Sequence, residues 1–348
     1  MKQHVYHLSH IDLDGYGCQY LSQQCFSTID CYNANYGPEV SARLGEIVKK
    51  IEQDTFVSPK EEVERLILVT DLNLTTKEGN WIEKEAVRIG AKLQLLDHHA
   101  TGATAAERFA WYYLDTKRCA TLITYEWLQK HYHFDQNNDL KDIVKAINAI
   151  DIWVSDDALF EYGKVMLGMI SGAREIGRIL FPAEDRALKI SMISAAKDRL
   201  GSQNAPIVLD DDLHQIKKAF FKQEENNTKD NLVASFVTDL LTTDKQRLTI
   251  EYKGHKGILG YNVGNASIIG NASMVANEDY AFYMDVNFRG NFSLRSNNKL
   301  DVSAMAAHIG NGGGHVNASG GKIEGYKDSF VYADVRQFVQ NYIDQKCE

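Results

Sequence analysis

The 348-residue sequence has no two cysteines at a C-x-x-C spacing. Its five cysteines, Cys18, Cys25, Cys31, Cys119 and Cys347, are odd in number and scattered. That excludes a disulfide framework and a zinc knuckle, and fits free thiols in a reducing compartment. The N-terminal Met-Lys-Gln-His-Val-Tyr-His lacks the apolar stretch of a secretory leader. No run approaches the ~18 apolar residues of a membrane span. Both gaps predict a soluble cytoplasmic protein with no membrane partner. An excess of basic charge is also missing, since the formal net charge is −9. Proteins that coat long nucleic acids carry a basic track, so the balance argues against that role. It leaves room for a phosphate held by a few local cations, helix N-termini or metal ions.

What is present is enough apolar material, 44% of residues, for about two domains at roughly 150 residues each. The first half alternates short apolar runs with helical patterns. Residues 5–8, 65–70 and 92–96 read as strands, and 16–26, 81–89, 120–131 and 140–150 as helices. This alternation predicts an α/β fold, a parallel sheet with helices on both faces. The middle is helical and charged, with a helix start expected at Asp210-Asp211-Asp212 and a linker at 224–231. Residues 246–252 and 256–262 read as a hairpin around Gly254, and 281–288 with 291–296 as another at Arg289-Gly290. A glycine-rich stretch over 310–321 and a helix at about 332–345 complete a smaller α+β domain. The expected boundaries are 1–185 for the first domain, 186–231 for a helical connection and 232–348 for the second.

Polar groups collect where the strands end, and open α/β sheets bind ligands at that edge. His10, Asp12 and Asp14 alternate within five residues, so an extended backbone would turn them to one face. Imidazole with carboxylates suits manganese, zinc or iron(II) more than calcium. The bland alternative is a polar turn with Asp as a helix N-cap. Asp71 ends the run Arg-Leu-Ile-Leu-Val-Thr, and its two oxygens allow it to bridge. Asp97-His98-His99 follows a buried strand. Neighbouring histidines on an extended backbone diverge, so one would ligate while the other contacts substrate or supports the ligands. Asp151 closes a helix, where a carboxylate opposes the dipole.

Asp12, Asp14, Asp71 and Asp151 would carry four negative charges, and crowding would force some to stay protonated. Two divalent cations would balance them, and metals ~3.5–4 Å apart are a common arrangement for phosphate-ester hydrolysis. In the second domain, Gly312, Gly313 and Gly314 would let backbone N–H groups approach a phosphate. His315 could donate a hydrogen bond to a phosphoryl oxygen or protonate a leaving group. Arg295 could grip a second phosphate or carboxylate.

These motifs, in this order, resemble those of the DHH phosphoesterase superfamily: His10-x-Asp12-x-Asp14-Gly15, Thr70-Asp71, Asp97-His98-His99 and Ile150-Asp151. Gly312-Gly313-Gly314-His315 with Asn317, Ala318 and Gly320 resembles its DHHA1 C-terminal domain. Within the superfamily the chain looks most like oligoribonucleases of the nanoRNase type, although its His-x-Asp-x-Asp motif is two residues shorter than in many of them. The resemblance implies a manganese pair. His10 and Asp12 would hold one ion, Asp14, His98 and Asp151 the other, with Asp71 bridging and His99 as a catalytic group beside them. It also implies substrate binding through Arg295, Gly313, Gly314 and His315, with His315 contributing to catalysis. The expected activity is cleavage of short RNA oligonucleotides or linear dinucleotides to mononucleotides, in a chain that allows a homodimer. The alternatives are a phosphatase of 3′-phosphoadenosine 5′-phosphate, a cyclic-dinucleotide phosphodiesterase, or a non-catalytic nucleotide sensor.

Overall fold

The computed structural model describes residues 2–57, 63–222 and 226–348. The chain forms two compact units, Met1–Gly172 with Arg186–Leu213, and Ala173–Asp185 with His214–Glu348. Residues 186–231, read from sequence as one connection, are therefore divided between the units at 213/214.

The first unit runs β1 (Lys2–Ser9), α1 (Leu13–Cys25), β2 (Ile29–Asn33), α2 (Pro38–Val57), β3 (Val63–Thr70), α3 (Thr76–Ile89), β4 (Ala91–Asp97), α4 (Ala103–Arg108) and β5 (Tyr112–Leu114). Helices α5 (Ala120–Tyr132), α6 (Lys141–Asp151), α7 (Phe160–Ser171), α8 (Pro182–Arg199) and α9 (Ala205–Phe221) follow, and the unit boundaries fall just after α7 and within α8 and α9. All pairings in the sheet are parallel, in the order β2-β1-β3-β4-β5. The four central residues Leu66, Ile67, Leu68 and Val69 of β3 are all buried, as a strand covered on both faces requires. Ile67 and Val69 join Val40, Leu44, Ile47 and Ile51 of α2 and Ile82 of α3 in one cluster. Strand alternation turns Leu66 and Leu68 to the opposite face. Each such buried aliphatic side chain contributes about 1.5–3 kcal/mol over its exposed state. The order reverses between β1 and β3, and in this fold class the crevice at such a reversal is where ligands bind.

The second unit contains α10 (Lys229–Thr243), β6 (Thr249–Tyr252), β7 (His255–Tyr261), α11 (Ala266–Ala276), β8 (Phe282–Val286), β9 (Asn291–Arg295), α12 (Val302–Gly310), β10 (Gly313–His315), β11 (Ala318–Lys322) and α13 (Tyr332–Cys347). Its sheet has the order β10-β11-β9-β8-β7-β6, antiparallel except where α11 connects the parallel pair β7 and β8. Both expected hairpins form, at Lys253-Gly254 and at Arg289-Gly290.

Several local readings need correction. Helix α1 begins at Leu13, three residues before the predicted start, because Asp12 caps it by accepting the Gly15 amide at 3.0 Å. The three aspartates 210–212 lie inside α9, which starts at Ala205 with Pro206 in its first turn, a position suited to proline. The linker read at 224–231 falls partly outside the described residues. Its end is helical, since Thr228 caps α10. Among the described residues no helix is long and apolar enough to cross a membrane. All five cysteines are unpaired.

Candidate metal centre

The end of β1 is tied down before the site begins. Ser9 Oγ donates to the Gly15 carbonyl at 2.9 Å and lies 2.7 Å from Thr70 Oγ1 at the end of β3. The chain then turns sharply through His10 into α1. A Cβ on Gly15 would sit 2.4 Å from the His10 carbonyl oxygen, so only glycine permits this turn. An extended run was expected to place His10, Asp12 and Asp14 on one face. They converge instead by a turn, with Asp12 as the cap and Asp14 in the first helical turn. The cap reading and the metal reading of Asp12 thus hold together: one oxygen accepts from Gly15, and the other lies 2.8 Å from His10 Nδ1.

Asp14 is buried, and its two oxygens accept the amides of Ala120 and Thr121, each at 2.7 Å. Those amides open α5, whose positive dipole end suits a carboxylate. Asp71 follows β3 in a left-handed backbone conformation, φ 56°, uncommon for a residue with a side chain and concentrated at functional sites. Its amide donates to Leu96 of β4, which fixes it between the two strands.

Asp71 divides its two oxygens between two groups. Oδ2 lies 3.6 Å from His10 Nδ1 and Oδ1 lies 3.3 Å from His98 Nε2. His98 Nε2 is also 3.7 Å from Asp14 Oδ2 and 3.6 Å from Asp151 Oδ2. Two sets of donor atoms result, His10 with Asp12 and Asp71, and Asp14 with His98 and Asp151, each within 4.8 Å of one another. Asp151 is the last residue of α6. The six residues singled out from sequence are therefore brought together at the β1/β3 reversal.

The electrostatics favour cations here. Burial, then the charges of Asp14 and Asp12, push Asp71 well above the carboxylate range. Burial and Asp14 push Asp151 up to about 8. Burial disfavours charged His10, but Asp12 and then Asp71 outweigh it and carry its pKa up to about 10. Burial alone would raise Asp12, but His10 draws it down to about 2. A proton on His10 thus stands in for the missing positive charge. Asp71 Oδ2 is buried without a hydrogen-bond partner and faces His10 Nδ1, which pairs with Asp12 Oδ2 at 2.8 Å without hydrogen-bond geometry. An orphaned carboxylate oxygen within a set of imidazoles and carboxylates fits divalent ions.

His98 and His99 were expected to diverge, but their rings lie 4.3 Å apart, centroid to centroid, and His99 Nδ1 is 3.9 Å from the same Asp71 oxygen that His98 faces, because the extended strand β4 ends at Asp97. His99 Nδ1 lies 2.7 Å from Asp97 Oδ1 and its Nε2 2.8 Å from the Tyr36 hydroxyl. Asp97 is fully buried and also accepts from Tyr112 Oη at 2.7 Å. Asn35 Oδ1 lies 3.4 Å from His10 Nε2. Tyr36, Asn35 and Asp97 were not assigned as site residues from sequence. For Asp97 the usable signal was its place at the end of β4, whereas Asn35 and Tyr36 lie in the β2–α2 loop, whose strand β2 was not read from sequence. Tyr16, read from sequence mainly as helix packing, is fully buried.

The remaining candidates are in the second unit. Antiparallel register places His315 opposite Ala318 and Ala318 opposite Arg295, so the His315 and Arg295 side chains share one face, two strands apart. At ~4.8 Å per strand that is about 10 Å. His315 is exposed. Arg295 Nη2 donates to Ser267 Oγ at 2.5 Å, and Nη1 to its neighbour's carbonyl. The glycines differ from one another. A Cβ on Gly312 would meet the Gly320 carbonyl oxygen at 2.0 Å, and one on Gly314, at φ 149°, the Ala318 oxygen at 2.5 Å. Close packing of the hairpin explains both. Gly313 has open space where a side chain would stand.

No family model matches the chain. It is 43% identical over 345 residues, covering 97% of each protein, to a 3′,5′-cyclic-nucleotide phosphodiesterase of Helicobacter pylori. The solved structure of an uncharacterized protein from Helicobacter pylori G27 matches with a TM-score of 0.89 and 42% identity over 99% of both chains. A solved DHH domain from a member of the s1p family of ribosomal proteins is much farther away, at 13% identity and a TM-score of 0.40 over 99% of this chain and 86% of that one.

Proposed function

This chain belongs to the DHH phosphoesterase superfamily, and we propose that within it the protein is a manganese-dependent phosphodiesterase that opens the 3′,5′-cyclic phosphate of a nucleotide to give a mononucleotide. The observation that carries the chemistry is Asp71, whose two oxygens face two separate donor sets. Identity of 43% across nearly the whole of a cyclic-nucleotide phosphodiesterase favours the cyclic substrate.

His10, Asp12 and Asp71 would hold one ion, and Asp14, His98, Asp151 and Asp71 the second. Bound there, the ions would supply Lewis acidity and an activated water. Water adds to phosphorus, one ester P–O bond breaks, and the departing ribose oxygen takes up a proton. Asp14, fixed by the α5 amides, keeps His98 on the second donor set. His99 has Nδ1 committed to Asp97 and Nε2 to the Tyr36 hydroxyl, and we propose that its ring, so held, lines the place of the phosphate beside the donor sets. For the second unit we propose nucleotide binding through Arg295, Gly313, Gly314 and His315, with His315 available to protonate a leaving group.

A second reading keeps the reaction and changes the substrate to a linear dinucleotide or short RNA. It is favoured by the His315–Arg295 row, whose span of about 10 Å suits contacts to more than one phosphate. The test is incubation with manganese and 3′,5′-cyclic mononucleotides, linear dinucleotides, five-mers, cyclic-di-AMP and 3′-phosphoadenosine 5′-phosphate. Turnover of the cyclic mononucleotide is expected. Turnover of dinucleotides or five-mers alone selects the second reading, and no turnover of any compound refutes the enzyme.

A further inference from the structure

We propose that Tyr36, in the loop between β2 and α2, is a positioning residue that holds the imidazole of His99 in its working orientation and tautomer. The inference rests on His99 being the histidine that meets substrate.

The loop is placed without help from the tyrosine side chain. The Ala34 amide donates to Ser9, the Asn35 amide to Glu39 Oε2 at 2.9 Å, and the Tyr36 amide to Asn35 Oδ1 at 2.9 Å. The Tyr36 ring is left free to be used at the site. It is 42% exposed. It lies 4.3 Å from the His10 ring and edge-on to His99 at 5.4 Å, centroid to centroid.

Hydrogen-bond polarity then fixes the arrangement. Asp97 accepts from the Tyr112 hydroxyl and the His99 amide, and as a carboxylate it can only accept from His99 Nδ1. Nδ1 therefore carries the hydrogen, and in that tautomer Nε2 accepts, so the Tyr36 hydroxyl donates to it at 2.8 Å. A half-turn of the ring would break both bonds. Asp97 and the His98 ring, 4.3 Å away, hold the ring on one side, and Tyr36 supplies the hydrogen bond at Nε2 on the other. Partners of this kind set ring orientation beside metal ligands, and losing one typically costs 10–100-fold in activity.

Tyr36→Phe keeps the ring and deletes only the hydroxyl. Long-range proton–nitrogen spectra of the metal-free protein, with His99 assigned through His99→Gln, should show the Nε2 resonance of His99 move in the Phe variant. Manganese stoichiometry should stay unchanged. With the nucleotide that wild type hydrolyses, kcat should fall about 10-fold at similar KM. In a His99→Gln background the same substitution should cost nothing further. An unmoved Nε2 resonance, or losses that simply multiply in the double variant, overturns the proposal. Should wild type hydrolyse no nucleotide, the catalytic reading of the site fails, and the spectra still decide whether Tyr36 holds His99.

Discussion

In the first unit, Asp71 and Asp14 are 1% exposed and every candidate ligand touches another. In the second unit, His315 is open to solvent, Gly313 faces empty space, and Arg295 is half-buried with hydrogen bonds to Ser267 and to its neighbour's carbonyl. The contrast follows from the parallel sheet. Its strands end together and are followed by helix starts, so carboxylates can be buried against amides and one another. An antiparallel hairpin sets side chains in rows on an open face. The first arrangement creates charge frustration that a cation relieves. The second creates spaced contacts with little strain, which suits recognition.

Asp71→Ala tests that contrast hardest. It should lower kcat/KM by about 10³-fold or more, about 4 kcal/mol of transition-state stabilisation, and reduce bound manganese measured by elemental analysis. Activity and metal both persisting would remove Asp71 as the shared ligand. The frustration itself can be titrated. With His10 near 10 and Asp151 near 8, both hold protons at pH 7 in the metal-free protein. Manganese must displace them, so its affinity should climb between pH 7 and 10, by about tenfold per pH unit for each proton displaced. Calorimetry in buffers of different ionisation heat should register the release. An affinity flat over that range would show that the first unit is not frustrated as described.

Arg295→Ala should leave manganese in place and raise KM about 10- to 100-fold, the loss of a hydrogen bond to a charged group worth about 1.5–3 kcal/mol. A change in kcat at constant KM would place Arg295 in the chemistry and blur the division between the units. The smallest effects separate two adjacent glycines. Gly314→Ala, at φ 149° and against the Ala318 oxygen, should cost about 1–3 kcal/mol in thermal unfolding. Gly313→Ala should cost no more than about 0.5 kcal/mol, so a rise in its KM would report ligand approach there.

The sequence showed the first site well because continuous apolar runs end abruptly in Asp71 and in Asp97-His98-His99, and strand ends are where this fold binds ligands. What it hid was geometry made by turns. The His10–Asp14 alternation suggested an extended segment, whereas the cap at Asp12 makes a helix start. The β2–α2 loop, Asn-Ala-Asn-Tyr-Gly, reads as an ordinary turn, because nothing in those residues reveals that it ends beside His10 and His99. The anchoring of Asp14 depends on the start of α5, more than a hundred positions away, and no local pattern reports that. In the second unit, glycine turns gave both hairpins away. The strands β10 and β11 carry Gly-Gly-His and Ala-Ser-Gly-Gly-Lys, with no apolar alternation to mark them.

The division of Asp71 between two donor sets has a consequence for how ions would load. Its carboxyl is pushed well above the ordinary carboxylate range when the site is empty, by burial and by its acidic neighbours. An ion on either donor set draws it toward the ionised form, so the second ion meets a carboxylate the first has already favoured as charged. That shared ionisation opposes the repulsion between the cations. Loading should therefore be cooperative, with a binding curve steeper than that of independent sites. It should become less cooperative as alkali ionises the carboxyl beforehand.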